Sequence, residues 1–207
     1  MSKIKYKDLT DAVEDGKTDI KTLKLLIDNG IRGTKETLYW AFTNGVKDIK
    51  AIELLIQAGS ICTCGILDTA VWNGIKDIKV LKMLLKNGAK CYKSSLNNAL
   101  ENGIKDIKIL DFLIKHGARC DKDTLEYTLC DQASNVCNRV TNIDTLKFLI
   151  KNGAKCDKDT LNNVLDNGLV NKKVLEFLKK NCTNYDKNTI DNKRSPSKKS
   201  PSKRSRR

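Results

Sequence analysis

Leucine recurs along this chain at intervals of 29 residues, and a single interval of 36 residues interrupts the series. A second series of small residues follows the same period. A fixed period of this length is typical of a repeat architecture, in which each unit buries its apolar stripe against the next unit. The sequence therefore predicts about six stacked units between residues 5 and 182. The two series are Leu9, Leu38, Leu67, Leu96, Leu125 and Leu161, and Ala12, Ala41, Ala70, Ala99, Thr128 and Val164.

Each unit has the pattern of two helices, a short one followed by a longer one. In one unit Ile107, Leu110, Leu113 and Ile114 fall at the spacing of a single helical face. An aspartate precedes the longer helix, where its carboxylate can accept from free N–H groups of the first turn. Glycine closes the longer helix, because it adopts the left-handed conformation that ends helices. The aspartates are Asp19, Asp48, Asp77 and Asp106, and the glycines are Gly30, Gly59, Gly88, Gly117 and Gly153.

The unit between Gly117 and Gly153 is seven residues longer than the others. Its excess lies at about residues 131–141. Insertions in repeat proteins map to loops on one face. Two interpretations stay open for this segment: a tolerated surface loop, or a recognition loop for a partner.

Composition supports helices, since 40% of residues are hydrophobic but only 5% are aromatic. Such a core consists mainly of Leu, Ile, Val and Ala, which suits packed helices better than a sheet. No apolar run of about 18 residues is present, and residues 1–8 lack an apolar signal segment, so we expect no membrane association. We expect an intracellular protein, in the reducing environment of the cytosol, the nucleus or both.

In such an environment the eight cysteines are not expected to form a disulfide framework. Cys62, Cys91, Cys120 and Cys156 share one repeat position, which indicates a small packing residue at each junction. Zinc is the alternative, but Cys62 with Cys64, or Cys130 with Cys137, would need ligands from elsewhere. We therefore predict no metal site.

Nothing in the sequence indicates catalysis. No phosphate loop, Gly-x-Gly-x-x-Gly, HExxH or Gly-x-Ser-x-Gly motif is present. The single histidine, His116, stands where Asn29, Asn87 and Asn152 stand in other units, which favours a role in ending a helix. We expect a protein that is not an enzyme and that needs no cofactor.

The segments Leu96–Gly103 and Leu110–Ala118 resemble the two helices of an ankyrin repeat, including Leu-x-x-Ala before Asn-Gly and a Leu-Ile-x-x-Gly-Ala ending. The resemblance covers about residues 5–182, and the Lys-, Asn- and Ile-rich style is similar to divergent ankyrin proteins of large AT-rich DNA viruses. The period of 29 residues is shorter than the usual ankyrin period of about 33, and the Thr-Pro-Leu-His opening is absent. Only eight residues join Gly88 to Leu96, so the finger between repeats is shortened.

The resemblance implies an all-α solenoid of about six stacked helix-turn-helix repeats that binds protein partners through its helices. It also places Trp40, Trp72 and Tyr127 at variable outward positions of the first helices, with Trp40 and Trp72 near each other. Exposed Trp and Tyr are frequent anchors of interfaces. Two interpretations stay open for these side chains: a partner-binding patch, or plugs that fill gaps in the stack.

Residues 183–207 form a separate segment that is expected to be disordered, because Asn, Lys, Ser and Pro leave little to bury. Its last 15 residues carry eight cations and no acid, which is more than half of the net charge of +14. Ser195 and Ser200 each precede proline and resemble proline-directed phosphorylation sites, so phosphate there would cancel about half of that charge. The cations are Lys193, Arg194, Lys198, Lys199, Lys203, Arg204, Arg206 and Arg207.

Three roles compete for this basic tail. The three roles are a nuclear import signal read by an import receptor, a nucleic-acid contact and a solubilising segment. The sequence thus favours a monomeric, non-catalytic scaffold for an unidentified protein partner. The alternative is a sequence-nonspecific nucleic-acid-binding protein that acts through its Ser-Pro-Ser-Lys-rich tail.

Overall fold

The computed structural model describes residues 5–129, 142–166 and 171–183. Within these ranges the chain forms twelve α-helices and no strand, so the prediction of an all-α chain is confirmed there. None of these helices combines the length and the apolar character needed to cross a bilayer. In chain order they are α1 (Leu9–Glu14), α2 (Ile20–Asp28), α3 (Thr37–Thr43), α4 (Ile49–Gln57), α5 (Ile66–Trp72), α6 (Ile78–Lys86), α7 (Ser95–Glu101), α8 (Ile107–Lys115), α9 (Thr124–Leu129), α10 (Ile143–Lys151), α11 (Lys158–Asp166) and α12 (Lys172–Asn181).

The even-numbered helices, hereafter the even helices, begin at the predicted aspartates. Asp48 has an extended backbone, and its Oδ1 accepts from the N–H groups of Lys50 and Ala51 at 2.7 and 3.1 Å. Asp19, Asp77 and Asp106 make equivalent bonds before α2, α6 and α8. Asn142 and Asn171 perform the same task before α10 and α12. The first turn of every even helix therefore has a side-chain acceptor.

The even helices end as the glycine series predicts. Gly30, Gly59, Gly88, Gly117 and Gly153 all have a positive φ, between 83° and 118°. Before the glycine, an asparagine side chain often donates to the carbonyl four residues back, as Asn87 Nδ2 does to Met83 O at 2.8 Å. His116 makes the same contact through Nδ1 to Phe112 O at 2.7 Å. The predicted role of His116 at a helix end is confirmed.

The odd-numbered helices, hereafter the odd helices, contact one another in series. Helix α1 packs on α3, α3 on α5, α5 on α7, α7 on α9, and α9 on α11. Helix α4 packs on both α2 and α6, and each of α4, α6, α8 and α10 packs on the odd helix of its own unit. All six leucines of the repeat are buried, as are all six residues of the small-residue series. Buried side chains from Leu9 to Cys182 form one connected apolar core.

A set of buried hydroxyl groups, hereafter the hydroxyl ladder, joins α1 to α3 and α7 to α9, and the hydrophobic pattern gave no indication of it. Thr37 Oγ1 lies 2.8 Å from Thr10 Oγ1 and also accepts from the N–H of Thr34. Thr124 Oγ1 donates to Asn97 Oδ1 at 3.0 Å and accepts from the N–H of Asp121. These bonds satisfy polar groups that would otherwise be buried at a cost, so they help to fix how adjacent units meet.

The structure differs from expectation at the end of the described chain, where Cys156 and Cys182 are joined by a disulfide. Their Cα atoms lie 4.4 Å apart. Cys182 occupies the position that glycine fills in earlier units, and that position lies against the preceding unit's cysteine. The predicted insertion at residues 131–141 lies outside the described residues, as do Cys130 and Cys137.

Candidate functional site

A groove of about 340 Å³ lies across three odd helices, α3, α5 and α7. Its walls include two aromatic side chains, Tyr39 and Trp72, which are 49% and 50% exposed although most large apolar residues in the described part of the chain are buried. Half-exposed aromatic side chains beside polar groups are typical of binding surfaces. We call this site the aromatic groove; it is lined by Tyr39, Thr43, Asp68, Thr69, Trp72, Asn73 and Asn98.

Asp68 provides the single charge in the lining of the aromatic groove. Its carboxylate accepts from Ser95 Oγ through Oδ1 and from Asn98 Nδ2 through Oδ2, the second at 3.3 Å. Half-burial raises the pKa of Asp68, and these two hydrogen bonds oppose the rise. The result is a partly desolvated carboxylate that is held in place by α7 and has aromatic rings in the same groove.

The three aromatic residues singled out from the sequence lie in different environments. Trp72 lines the aromatic groove. Trp40 is only partly exposed, packs against the apolar core, and meets the edge of the Tyr39 ring with centroids 5.5 Å apart. Tyr127 also packs against the core. The groove therefore brings Trp72 together with Tyr39, which the sequence reasoning did not single out, and not with Trp40.

Tyr39 was missed because it stands next to Trp40, and both fall on the outward arc of α3. The buried positions of that helix are Thr37, Leu38, Ala41 and Phe42. Both aromatic residues therefore lie outside the core face. The periodicity does not decide which of the two packs against the core and which stays exposed. The available signal was the register of Trp72: Asp68 stands one helical turn before it, and Tyr39 occupies the position of Asp68 in the preceding unit.

The charges of the helices are segregated between the two sets. The odd helices hold seven acids and one lysine, a net charge of −6, whereas the even helices hold fourteen lysines and five acids, a net charge of +9. Burial, with contributions from Glu101 and other nearby carboxylates, raises the pKa of Tyr127 on α9. The charged residues of the odd helices are Asp11, Glu14, Asp68, Glu101, Glu126, Asp159 and Asp166, with Lys158.

A second groove, of about 360 Å³, lies on the odd helices α9 and α11. Four of its lining residues are acids and one is a lysine, so it is strongly negative. Glu126 Oε2 accepts from Asn163 Nδ2 at 3.1 Å, which links the two helices. We call it the acidic groove; its lining residues are Lys122, Asp123, Glu126, Asp157, Asp159, Thr160 and Asn163.

Three of the four periodic cysteines, Cys62, Cys91 and Cys120, pack at the unit junctions as free thiols, as predicted, whereas Cys156 is in the disulfide with Cys182. Cys62 and Cys156 are buried, and Cys91 and Cys120 are half-buried against the core. Burial raises the pKa of both Cys62 and Cys120 to about 11, so these thiols stay protonated and poorly reactive at neutral pH. Across residues 5–129, 142–166 and 171–183, no three His, Cys, Asp or Glu side chains group in a way that would hold a metal ion.

The predicted basic tail lies outside the described residues, with Lys193, Arg194, Lys198, Lys199, Lys203, Arg204, Arg206 and Arg207 and the two candidate phosphorylation sites Ser195 and Ser200.

Comparison with known proteins adds no relative: no protein-family model matches the sequence, and no curated protein matches it.

Proposed function

We propose that this chain is a non-catalytic scaffold for protein–protein interaction, in which six ankyrin-like helix pairs stack as a solenoid. The serial contacts between odd helices and the single connected core support the stacked arrangement. The observation that carries the proposed function is the aromatic groove, where Tyr39 and Trp72 stay half-exposed beside the partly buried Asp68. The partner surface is thus the outward side of the odd helices.

The groove supports this function because its energetic features are those of an interface centre. Large rigid aromatic side chains supply contact area at a small cost in conformational entropy. A partly desolvated carboxylate adds selectivity, since an unmatched partner leaves it without a counter-charge. The other outward positions of the odd helices vary between units, which suits recognition of one partner among many.

The test is affinity purification with the full chain as bait. We expect the double variant Tyr39→Ala/Trp72→Ala to lose the specific partner, with affinity reduced about thirtyfold or more, because aromatic anchors at interface centres contribute about 2 kcal/mol or more. A matched control, Leu25→Ala/Ile61→Ala, removes two exposed apolar side chains away from the groove, which are 61% and 59% exposed. Circular dichroism checks that both variants keep their helix content. Identical protein sets for wild type, variant and control would contradict the proposal.

A second candidate function is sequence-nonspecific binding of nucleic acid through the tail. The observation in its favour is the run of eight cations without an acid in residues 193–207. Each phosphate that is neutralised releases counterions, so binding weakens steeply with salt. The same cations also suit an import receptor, which would place the scaffold in the nucleus.

Salt dependence separates these roles of the tail. If all eight cations engage phosphates, the log–log slope of affinity against salt approaches about −7 for the full chain. We expect a full chain with all eight cations replaced by Gln to lose most of this slope. An unchanged slope would instead assign nucleic-acid binding to the basic even helices, and a flat slope in both chains would remove this candidate function.

A further inference from the structure

The tail leaves the described chain beside the acidic groove. The backbone N–H of Thr183 donates to Cys156 O at 3.0 Å, and the disulfide joins the neighbouring Cys182 to the same Cys156. The next residue along from Cys156 is Asp157, which lines the acidic groove. Thr183, the last described residue, is therefore fixed against the start of α11, next to the acidic groove.

Two acids of this groove are held in place by hydrogen bonds, Glu126 by the amide of Asn163 and Asp157 by Thr160. Asp157 Oδ1 accepts from the N–H of Thr160 at 3.0 Å and from its hydroxyl at 3.1 Å, and the backbone bond is the main cause that lowers the pKa of Asp157. Lys122, with its Nζ 4.0 Å from Asp123 Oδ1, is the one cation in the lining. The groove thus keeps a net negative charge at neutral pH.

We propose that the basic tail of this chain, residues 193–207, docks on the odd helices of the same molecule, across the acidic groove and towards Asp68. This inference rests on the proposed function, because it assigns an occupant to the same face. Eight cations without an acid complement a set of helices with a net charge of −6, whereas the even helices, at +9, repel them. Charge therefore selects one of the two faces.

The length of the tail is sufficient for this contact. The 24 residues after Thr183 span up to about 80 Å when extended. Helices that pack on one another lie about 8–10 Å apart, so the three steps from α11 to α5 cover about 30 Å. Because the tail is covalently attached, its local concentration is in the millimolar range, and individually weak ion pairs are enough to populate the docked state.

In the docked state the tail and the odd helices bind each other, so outside partners must compete with this internal contact. A nucleic acid or an import receptor must displace the acids of the odd helices from the tail, and a protein partner must displace the tail from the odd helices. Phosphorylation of Ser195 or Ser200 adds negative charge to the tail and weakens the docked state. The tail and the odd helices then become accessible to their partners at the same time.

Carbodiimide cross-linking of the full chain at high dilution tests this inference directly, because the reagent joins a lysine amine to a carboxylate only when the two are in contact. Mass spectrometry of the monomer fraction should show amide bonds between the tail lysines Lys198, Lys199 or Lys203 and the acids Asp123, Glu126 or Asp159. Raising the salt to about 0.5 M should reduce them strongly through screening. Glu53, Asp111 and Glu176 on the even helices serve as internal controls and should stay free of tail lysines.

A matched pair of full-chain variants adds a second readout. We expect Asp123→Asn/Glu126→Gln/Asp159→Asn to release the tail and to tighten binding of a short DNA duplex about fivefold, the size expected for three exposed ion pairs. The control Glu53→Gln/Asp111→Asn/Glu176→Gln removes the same charge from the even helices and should leave both cross-links and DNA affinity nearly unchanged.

Several outcomes would overturn the inference. The inference fails if tail lysines join even-helix acids as often as acids of the acidic groove. It also fails if they join only a second molecule, or no acid at all. A chain that binds no DNA in any variant would remove the nucleic-acid function but not the docking, since the cross-links report on docking alone. Loss of the protein partner without loss of cross-links likewise separates the two proposals.

Discussion

At the scale of single residues, Gly33 marks a position where two units pack closely. Its N–H donates to Ala58 O at 3.0 Å, and a Cβ on Gly33 would lie only 2.7 Å from Ser60 N and 2.9 Å from Ser60 Cα. Both of these atoms belong to the backbone, so the clash cannot be relieved by turning a side chain. The φ of Gly33 lies outside the left-handed region, so backbone conformation does not require glycine here. Glycine is required because a Cβ would not fit.

We predict that Gly33→Ala lowers the free energy of unfolding by about 1–3 kcal/mol, the usual cost of forcing an extra carbon into a packed site. Gly65→Ala is the matched control, since Gly65 has a φ of −88° and open space around its Cβ position. That change should be neutral or stabilise by up to about 1 kcal/mol, because it restricts the unfolded chain. Urea denaturation measures both; equal effects would mean that the junction at Ser60 is looser than described.

Residue-scale features differ in how far the sequence predicted them. Asp106 and Gly117 were predicted correctly because capping is local and depends on residues within one turn. The Cys156–Cys182 bond was not predicted because it crosses a unit boundary. Its signal was the change from glycine to cysteine in the last unit, where earlier glycines such as Gly117 would place a Cβ 3.3 Å from the preceding cysteine's carbonyl, that of Cys91.

At the scale of helices, each even helix depends on one side chain for its start. Asp106 Oδ1 accepts from the N–H of Lys108 at 2.8 Å at the beginning of α8. Two helices of the same set use asparagine in that place, Asn142 before α10 and Asn171 before α12. The cap therefore needs a short side-chain acceptor, and the negative charge is secondary.

We predict that Asp106→Ala lowers the free energy of unfolding by about 1 kcal/mol, the typical value of an N-cap. Asp106→Asn should cost less than half of that amount, because the amide oxygen keeps the bond. Thermal unfolding followed at 222 nm gives both values. Should Asn cost as much as Ala, the carboxylate charge rather than the hydrogen bond would be the source of stability.

Helix-scale predictions from the sequence were accurate for the described units because apolar spacing decides which side of a helix is buried. The hydroxyl ladder was outside their reach, since Thr37 and Thr124 are polar residues at buried positions, and only tertiary contact shows that their partners are Thr10 and Asn97. For the same reason the pattern identified Trp72 as outward but did not find Asp68 or Tyr39.

At the scale of the whole molecule, the repeat produces two chemically different surfaces from one core. The outward positions of the odd helices carry acids and half-exposed aromatic side chains, and those of the even helices carry mainly lysine. The sequence showed the excess of positive charge but not this division. Acidic and basic helices alternate along the chain, so their charges partly cancel in any long segment. The division requires every odd helix to face the same way, as it does in the stacked arrangement that we propose.

The stack itself is the central claim, and distances along the even helices test it most directly. Lys24, Glu53, Lys82, Asp111, Lys147 and Glu176 occupy equivalent, exposed or partly exposed positions. Spin labels attached through an unnatural amino acid at Lys24 and, in turn, at Lys82, Asp111 and Lys147 leave the native cysteines unmodified. Pulsed electron resonance should give separations that grow by about 10 Å for each added unit. Separations that stop growing, or that shorten between Lys82 and Lys147, would show a closed bundle and contradict the account.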